Sequence, residues 1–453
     1  MSMINYHSTN YLTPPVDFKT AVLRGQALDK GLYMLDEIPV LSAEDIYNFK
    51  NETLSIIGNK VITKFLGNVI LKNDLKIILS ESLDFTVPIE RVRRNDYICY
   101  LDKGPTASFK DFGARTLARI MEFFLNIEEE ERVILTATSG DTGGAVAQAF
   151  FDLKRIKVII LFPKDEISSL QRKQMTTLGR NILAIGIDGK FDDCQRIVKR
   201  TFNDPNLKHI KLTSANSINI GRLIPQTLYY FYSYSRIIDN FGEEVIFSVP
   251  SGNFGNLMGG LIASKMGLPV KKFISAVNEN DAFPKFLETG KYNKIEPSKK
   301  CISSAMNVGH PSNLARVFDL YQGQIDENGI IIKSPNMSQI RKDIISYSIS
   351  DDLTKDTIKQ FYTKFKKILD PHGAVGWASL EKYRKENNED AKYKAVCFET
   401  ADPAKFPDEI KSLINVIPSL PESLKNIQNK KETQTSVEIS DYTDFKLFLQ
   451  NNY

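Results

Sequence analysis

An α/β protein with two doubly wound, parallel-sheet domains behind an N-terminal cap segment is the fold this sequence predicts. Three observations predict it. From about residue 96 onward, short apolar strands alternate with segments of helical spacing. The strands, such as Arg132-Val-Ile-Leu-Thr-Ala137 and Glu244-Val-Ile-Phe-Ser-Val-Pro250, are nearly continuous apolar runs, as strands covered on both faces require. The loops after those strands are rich in glycine and hydroxyl side chains and open directly into helices, as in repeated βα units.

Residues 1–95 read as a cap segment. Phe18–Leu28 has helical spacing and ends near Gly31, and Ser42 caps a second helix that begins Ala43-Glu-Asp. Gly31-Leu-Tyr-Met34 and Ile38-Pro39 read as a loop lying on something larger. Residues 96–240 form the first predicted domain. Its strand Tyr97–Leu101 meets the turn Gly104-Pro105, and Lys110 stands at the junction of that loop with a helix. Thr106 and Ser108 suit the cap, and Asp111 suits the first turn. Strands at 132–137, 156–162, 181–187 and 210–213 alternate with helices at 145–153, 168–178, 191–202 and 223–238. Residues 241–418 form the second domain, with strands at 244–250, 272–278 and 394–399, a largely helical 290–365, and an irregular part near 321–340. Residues 419–453 read as a polar tail with a short amphipathic end at Tyr442–Leu449.

Composition narrows the function. A chain of 453 residues with 42% hydrophobic and 25% charged residues is ordinary for a soluble globular protein of two domains. The net charge of +4 is spread thinly and forms no basic stripe with interleaved aromatics, which argues against a nucleic-acid partner. Cys99, Cys194, Cys301 and Cys397 lie far apart with no CxxC pair, so neither a zinc ribbon nor a redox motif is expected, and a reducing compartment is. No apolar run long enough to span a membrane occurs, and Met1–Asn10 lacks the basic and apolar regions of a signal peptide, so the expected location is the cytoplasm. No metal site is expected.

In a parallel α/β sheet, ligands sit outside the carboxyl ends of the strands, and three such loops stand out. Ser251-Gly-Asn-Phe-Gly-Asn256 joins a strand to a helix with two glycines, which lets backbone amides converge on a phosphate. It lacks a Walker lysine and a clean GxGxxG, and Glu279 keeps a dinucleotide reading barely open. In Thr138-Ser-Gly-Asp-Thr-Gly-Gly144, Ser139 and Thr142 with the helix amides could hold a carboxylate, and Asp141 could accept from a phenol or an amine. Asn216, Ser217 and Arg222 make a third anion site, in which the arginine fork fits a phosphate. Taken singly, each loop reads equally as a well-capped turn, and Lys110 as a surface cation. Together they suit a phosphorylated aldehyde cofactor bonded to Lys110 and a substrate with its own carboxylate and phosphate. Thr400, ending the last strand, could meet a neutral pyridine nitrogen.

These residues resemble the threonine synthases of the longer bacterial and fungal form, within the fold type II pyridoxal-phosphate enzymes. The resemblance rests on Gly104-Pro-Thr-Ala-Ser-Phe-Lys-Asp-Phe-Gly113, Thr136-Ala-Thr-Ser-Gly-Asp-Thr-Gly143, Asn216-Ser-Ile-Asn-Ile-Gly-Arg222 and Val249-Pro-Ser-Gly-Asn-Phe-Gly-Asn256, in that order, with Ala21–Gly25 and Gly31–Tyr33 upstream. It implies a lyase that takes O-phospho-L-homoserine and water to L-threonine and phosphate with pyridoxal 5'-phosphate. It also implies residue roles. Lys110 would bond the cofactor. Ser251, Gly252, Asn253, Phe254, Gly255 and Asn256 would hold its phosphate, Asp141 its ring oxygen and Thr400 its ring nitrogen. Thr138, Ser139 and Thr142 would take the substrate carboxylate. Asn216, Ser217 and Arg222, with Asn253, would take the substrate phosphate. A monomer or homodimer is implied.

One departure stands out. The family usually reads Thr-Ala-His-Pro-Ala-Lys-Phe after the last strand, and here Asp402 replaces the histidine. A packing role tolerates that change, whereas contact with the substrate phosphate would weaken binding. Three rival readings are a phospho-amino-acid lyase releasing an oxo acid and ammonia, a catalytically inactive relative, and a nucleotide-binding α/β protein.

Overall fold

The computed structural model describes residues 4–432, 439 and 441–453. Its framework is β1 (Ile89–Arg93), β2 (Asp96–Tyr100), β3 (Arg132–Ala137), β4 (Ile156–Pro163), β5 (Ile182–Ile187), β6 (Leu212–Thr213), β7 (Val245–Pro250), β8 (Val270–Val277), β9 (Ile344–Ser348) and β10 (Lys394–Glu399). The principal helices are α1 (Lys110–Glu128), α2 (Asp141–Phe150), α3 (Ser169–Thr176), α4 (Phe191–Asn203), α5 (Gly255–Lys265), α6 (Pro371–Glu386) and α7 (Tyr442–Asn452).

The strands form a six-stranded sheet, ordered β9-β8-β7-β10-β2-β1, and a four-stranded sheet, ordered β5-β4-β3-β6. Every pairing is parallel except the edge pair β1–β2. Central strands such as β7 are buried along their whole length, which is why their sequences run apolar without alternation.

The boundary expected at residue 96 does not follow the sheets. β2 pairs in parallel with β10, Tyr97 opposite Val396 and Ile98 opposite Cys397, so it belongs to the sheet of the second half of the chain. The strands of the smaller sheet run from residue 132 to 213, and Ile439 adds a parallel bridge to its edge at Ile187. An apolar strand satisfies its ladder against any parallel neighbour of matching register, and local sequence does not name that neighbour.

The cap segment is more helical than its sequence suggested, with helices at Leu54–Leu66 and Lys72–Ser82 on the aromatic helix Leu228–Ile237 and on α1. Tyr33–Leu35, expected as loop, pairs antiparallel with Tyr6–Ser8. The irregular stretch near 321–340 contains a small hairpin, Gln324–Ile325 with Ile331–Lys333.

The tail is not free. α7 packs on α4, burying Phe445 and Leu449 against Cys194 and Ile197. Glu432 meets Arg172 and Thr176 of α3. The carboxyl segment therefore straps two helices of the smaller sheet. All four cysteines are buried and free.

Candidate active site

The carboxyl ends of β3, β6 and β7, with the loops that follow β2 and β10, converge on one cavity of about 1360 Å³. Lys110 lines it, as do Ser139, Asp141, Thr142, Asn216, Ser217 and Arg222. The loop from Gly252 to Asn256, His372 and Thr400 complete that wall.

Lys110 is aimed by a loop that closes on itself. Asp111 accepts from the Thr106 amide at 2.9 Å and from its hydroxyl at 2.7 Å, and Ala107 takes a left-handed φ of 53°. The same loop is zipped to the chain after β10, because the Phe109 amide donates to Thr400 O and the Asp402 amide to Ala107 O. Lys110 thus begins α1 with its side chain 15% exposed at the cavity wall. Burial lowers its pKa, Lys405 and Arg222 lower it further, and Asp141 opposes them.

Asp141 opens α2. One of its oxygens accepts from Lys405 Nζ at 2.9 Å and Gln171 Nε2 at 3.0 Å, and the other lies 3.7 Å from Lys110 Nζ. Burial alone would raise its pKa, but Lys405 and Lys110 together hold it well below the usual carboxylate range. Lys405 and Gln171 are site residues that sequence reading passed over. Lys405 is fully buried, and a lysine without solvent contact needs a carboxylate, a pairing that the local sequence does not reveal.

The Gly252–Gly255 loop is a cradle. A Cβ on Gly252 would stand 2.7 Å from Ala305 O, and Phe254 adopts a φ of 61°. Among the described residues, the amides of Gly252, Asn253, Phe254 and Gly255 donate to no backbone carbonyl. Ser251 behaves otherwise. Its amide bonds Ala276 O and its hydroxyl Val249 O, so its donors complete the sheet and it does not line the cavity. Asn256 lines the cavity, but its side-chain oxygen accepts from the Tyr229 and Tyr230 hydroxyls at 2.8 Å each, which turns that oxygen into the aromatic core.

The loop Thr138–Gly144 divides similarly. Thr138 also lines the cavity but is buried, and its hydroxyl accepts from the Gly140 amide at 3.0 Å and the Gly143 amide at 2.8 Å, shaping the turn. Ser139 and Thr142 are half-buried on the cavity wall. In the third loop, Arg222 is fixed through Ala215 O at 2.7 Å, and its buried Nε has no partner among the described residues. Asn253 Nδ2 donates to Ser217 Oγ at 2.6 Å, which joins the Gly252–Gly255 cradle to this third loop. Asn216 accepts from the Thr136 hydroxyl.

Asp402 does not line the cavity. Its carboxylate accepts from the Ala404 amide at 2.9 Å, capping the short turn that carries Lys405, and lies 3.5 Å from Lys103 Nζ. His372 was also passed over. Its Nε2 accepts from the Ala305 amide at 3.1 Å, so it braces the segment that roofs Gly252.

Comparison with known proteins places these loops in context. The pyridoxal-phosphate dependent enzyme family matches residues 97–400, the threonine synthase N terminus family residues 5–83, and the threonine synthase C-terminal family residues 373–448. The chain is 38% identical over 413 residues to the threonine synthase of Buchnera aphidicola subsp. Baizongia pistaciae, covering 91% of each. It is 35% identical to that of Escherichia coli K12 over 414 residues, covering 90% of this chain and 91% of the relative. Its structure superposes on the pyridoxal-phosphate-bound threonine synthase of Brucella melitensis with a TM-score of 0.90, 33% identity and 99% coverage of both chains. The yeast threonine synthase gives 0.90 at 30% identity and 98% coverage of both. Maize serine racemase, at 15% identity and a TM-score of 0.52, shares the fold alone.

Proposed function

The chain belongs to the threonine synthase family of pyridoxal-phosphate-dependent enzymes, converting O-phospho-L-homoserine and water to L-threonine and phosphate, and from that premise we propose how its residues divide the work. The residues present fit the cofactor. A glycine-lined cradle of open amides, a partly exposed lysine amine and the Thr400 side of the cavity are what a phosphorylated pyridine aldehyde needs. Gly252, Asn253, Phe254 and Gly255 would hold its phosphate through the backbone, Lys110 its aldehyde carbon, and Thr400 its ring nitrogen. Bound there, pyridoxal phosphate supplies an electron sink for the substrate α-carbon.

Every other part of the proposal concerns the protein's own groups. Ser139 and Thr142, with the first amides of α2, orient the substrate carboxylate, and Thr138 shapes that turn. The Lys110 amine, its pKa lowered by burial and by Lys405, takes the α proton and later returns it. Arg222, Asn216, Ser217 and Asn253 take up the charge of the departing phosphate. Asp141 stays ionised between Lys405 and Lys110 and fixes where both amines stand.

The observation that carries this reading is the convergence of Lys110 and three anion-binding loops on one cavity. Product analysis tests it. Cofactor-loaded enzyme given O-phospho-L-homoserine should yield threonine and phosphate in equal amounts, and Lys110→Ala should yield neither. An oxo acid with ammonia would move the chain to the eliminating activity, and turnover by Lys110→Ala would refute the assignment of the base.

A monomer or homodimer in a reducing cytoplasm belongs to the same proposal. Four buried free thiols support the compartment. Among the described residues, no helix is long and apolar enough to cross a membrane and no cluster suits a metal ion.

A further inference from the structure

Arg316 is fully buried on the short helix Leu314–Leu320. It donates from Nε to Tyr33 O at 2.9 Å, from one terminal nitrogen to Ser217 O at 3.2 Å and Asn313 Oδ1 at 2.6 Å, and from the other to Ile218 O at 2.6 Å. None of these acceptors is a carboxylate. The neighbouring acid, Asp319, is engaged by His7 Nε2 at 3.0 Å and by the Tyr11 hydroxyl. Burial lowers the pKa of this guanidinium to about 9 against the pull of Asp319.

A buried cation held only by neutral oxygens is costly unless something repays it. Its place in the fold says what does. The carbonyls of Ser217 and Ile218 belong to the loop that carries Asn216, Ser217 and Arg222. Asn313, which accepts from Arg316, donates to Asn253 O at 2.9 Å and so ties the cofactor loop into the same network. A trans peptide holds its C=O and N–H in opposite directions. Drawing the Ser217 carbonyl toward Arg316 therefore turns the N–H of Ile218 away from Arg316, and Ile218 lines the cavity.

We propose that Arg316 is a positioning residue of the substrate-phosphate subsite, fixing the Ser217–Ile218 peptide so that the Ile218 N–H joins Arg222 as an anion donor, and placing a desolvated positive charge behind that loop. The inference rests on the assignment of Arg222, Asn216 and Ser217 to the substrate phosphate. Arg316 touches no substrate. It acts through the loop, and its charge is repaid when a phosphate dianion arrives.

Calorimetric titration of the cofactor-loaded enzyme tests this with two probes, inorganic phosphate and L-threonine, on Arg316→Gln, Arg316→Lys and Arg222→Gln. In Arg316→Gln the Kd for phosphate should rise about tenfold, equivalent to about 1.4 kcal/mol, while that for L-threonine changes less than about twofold. Arg316→Lys keeps the charge and loses the fork, so phosphate binding should weaken by about threefold. Should the Gln variant fail to fold, the Lys variant decides. Unchanged phosphate affinity in a folded Arg316 variant, with Arg222→Gln weakened, overturns the inference alone. So does equal weakening of phosphate and L-threonine, which marks a merely structural arginine. Phosphate binding that survives Arg222→Gln overturns the subsite and the inference with it.

Discussion

Lys405 Nζ donates to Asp141 Oδ1 at 2.9 Å, and Asp141 Oδ2 stands 3.7 Å from Lys110 Nζ. Two residues nearly 300 positions apart are thereby joined through one carboxylate. The bond decides how much of the Asp141 charge Lys110 feels. With Lys405 in place, that charge is shared, and the Lys110 amine stays below its ordinary range.

Lys405→Met leaves Lys110 as the cation facing Asp141, with Gln171 still donating to that carboxylate. The lysine pKa then rises, because a nearby positive charge that lowered it is gone while Asp141 still raises it. In the proposed mechanism the neutral amine is the proton acceptor, populated above its pKa, so the acidic limb of kcat against pH should move to more alkaline pH. A pH profile checks this, and a limb that does not move would rule out Lys405 as the control on Lys110.

Asp402→Ala removes the cap on the Ala404 amide and should cost about 1 kcal/mol of stability. Because Asp402 does not line the cavity, KM for O-phospho-L-homoserine should change less than about twofold. Steady-state kinetics with thermal melts separate the two effects. A clearly lower KM in the variant would mean that this carboxylate repels the substrate dianion after all.

Gly252→Ala sets a Cβ 2.7 Å from Ala305 O, against backbone rather than a movable side chain. Cofactor affinity should fall by about tenfold or more, through displacement of the cradle amides. Fluorescence titration of apoenzyme with pyridoxal phosphate measures this, and wild-type affinity would show that the Ala305 segment yields freely.

Asp102 is buried beside Lys103, and burial pushes its carboxyl up to about 6 from a usual 3.8. The folded state therefore holds this proton more tightly than the unfolded chain does. The stability this contributes is full below about pH 4 and is lost as pH rises through 6. The loss is roughly 2–3 kcal/mol at most. Asp102→Asn abolishes it, so the variant should gain on wild type at pH 8 relative to pH 5. Denaturant midpoints at the two pH values test this, and an equal difference at both would show that Asp102 does not titrate in this window.

Much of the candidate site was legible because the residues that line the cavity fall in contiguous loops. The Lys110 junction, the run Thr138–Gly144, the pair Asn216 and Ser217 with Arg222, and the loop Gly252–Gly255 each follow a strand and open a helix, and local turn chemistry marks such places. What stayed hidden was the direction of each side chain within them. Ser251, Thr138 and Asn256 look like ligands in sequence. In the folded chain the first completes a sheet, the second shapes a turn, and the third sends its side-chain oxygen to two tyrosine hydroxyls. Their partners lie both a few residues away and across the core, and composition does not distinguish the two cases.

By itself the sequence determined the parallel α/β architecture, the order of its loops and the chemistry they can perform, because strand periodicity, glycine placement and helix capping are local properties. Tertiary structure alone decided that β2 pairs with β10, that the carboxyl segment straps α3 and α4, and that Lys405 and Arg316 carry their charges beneath the site. The physical reason is the same in each case. Partner choice for a strand, an amphipathic helix or a buried cation is settled by what the rest of the chain leaves unsatisfied, and that is known only once the chain has folded.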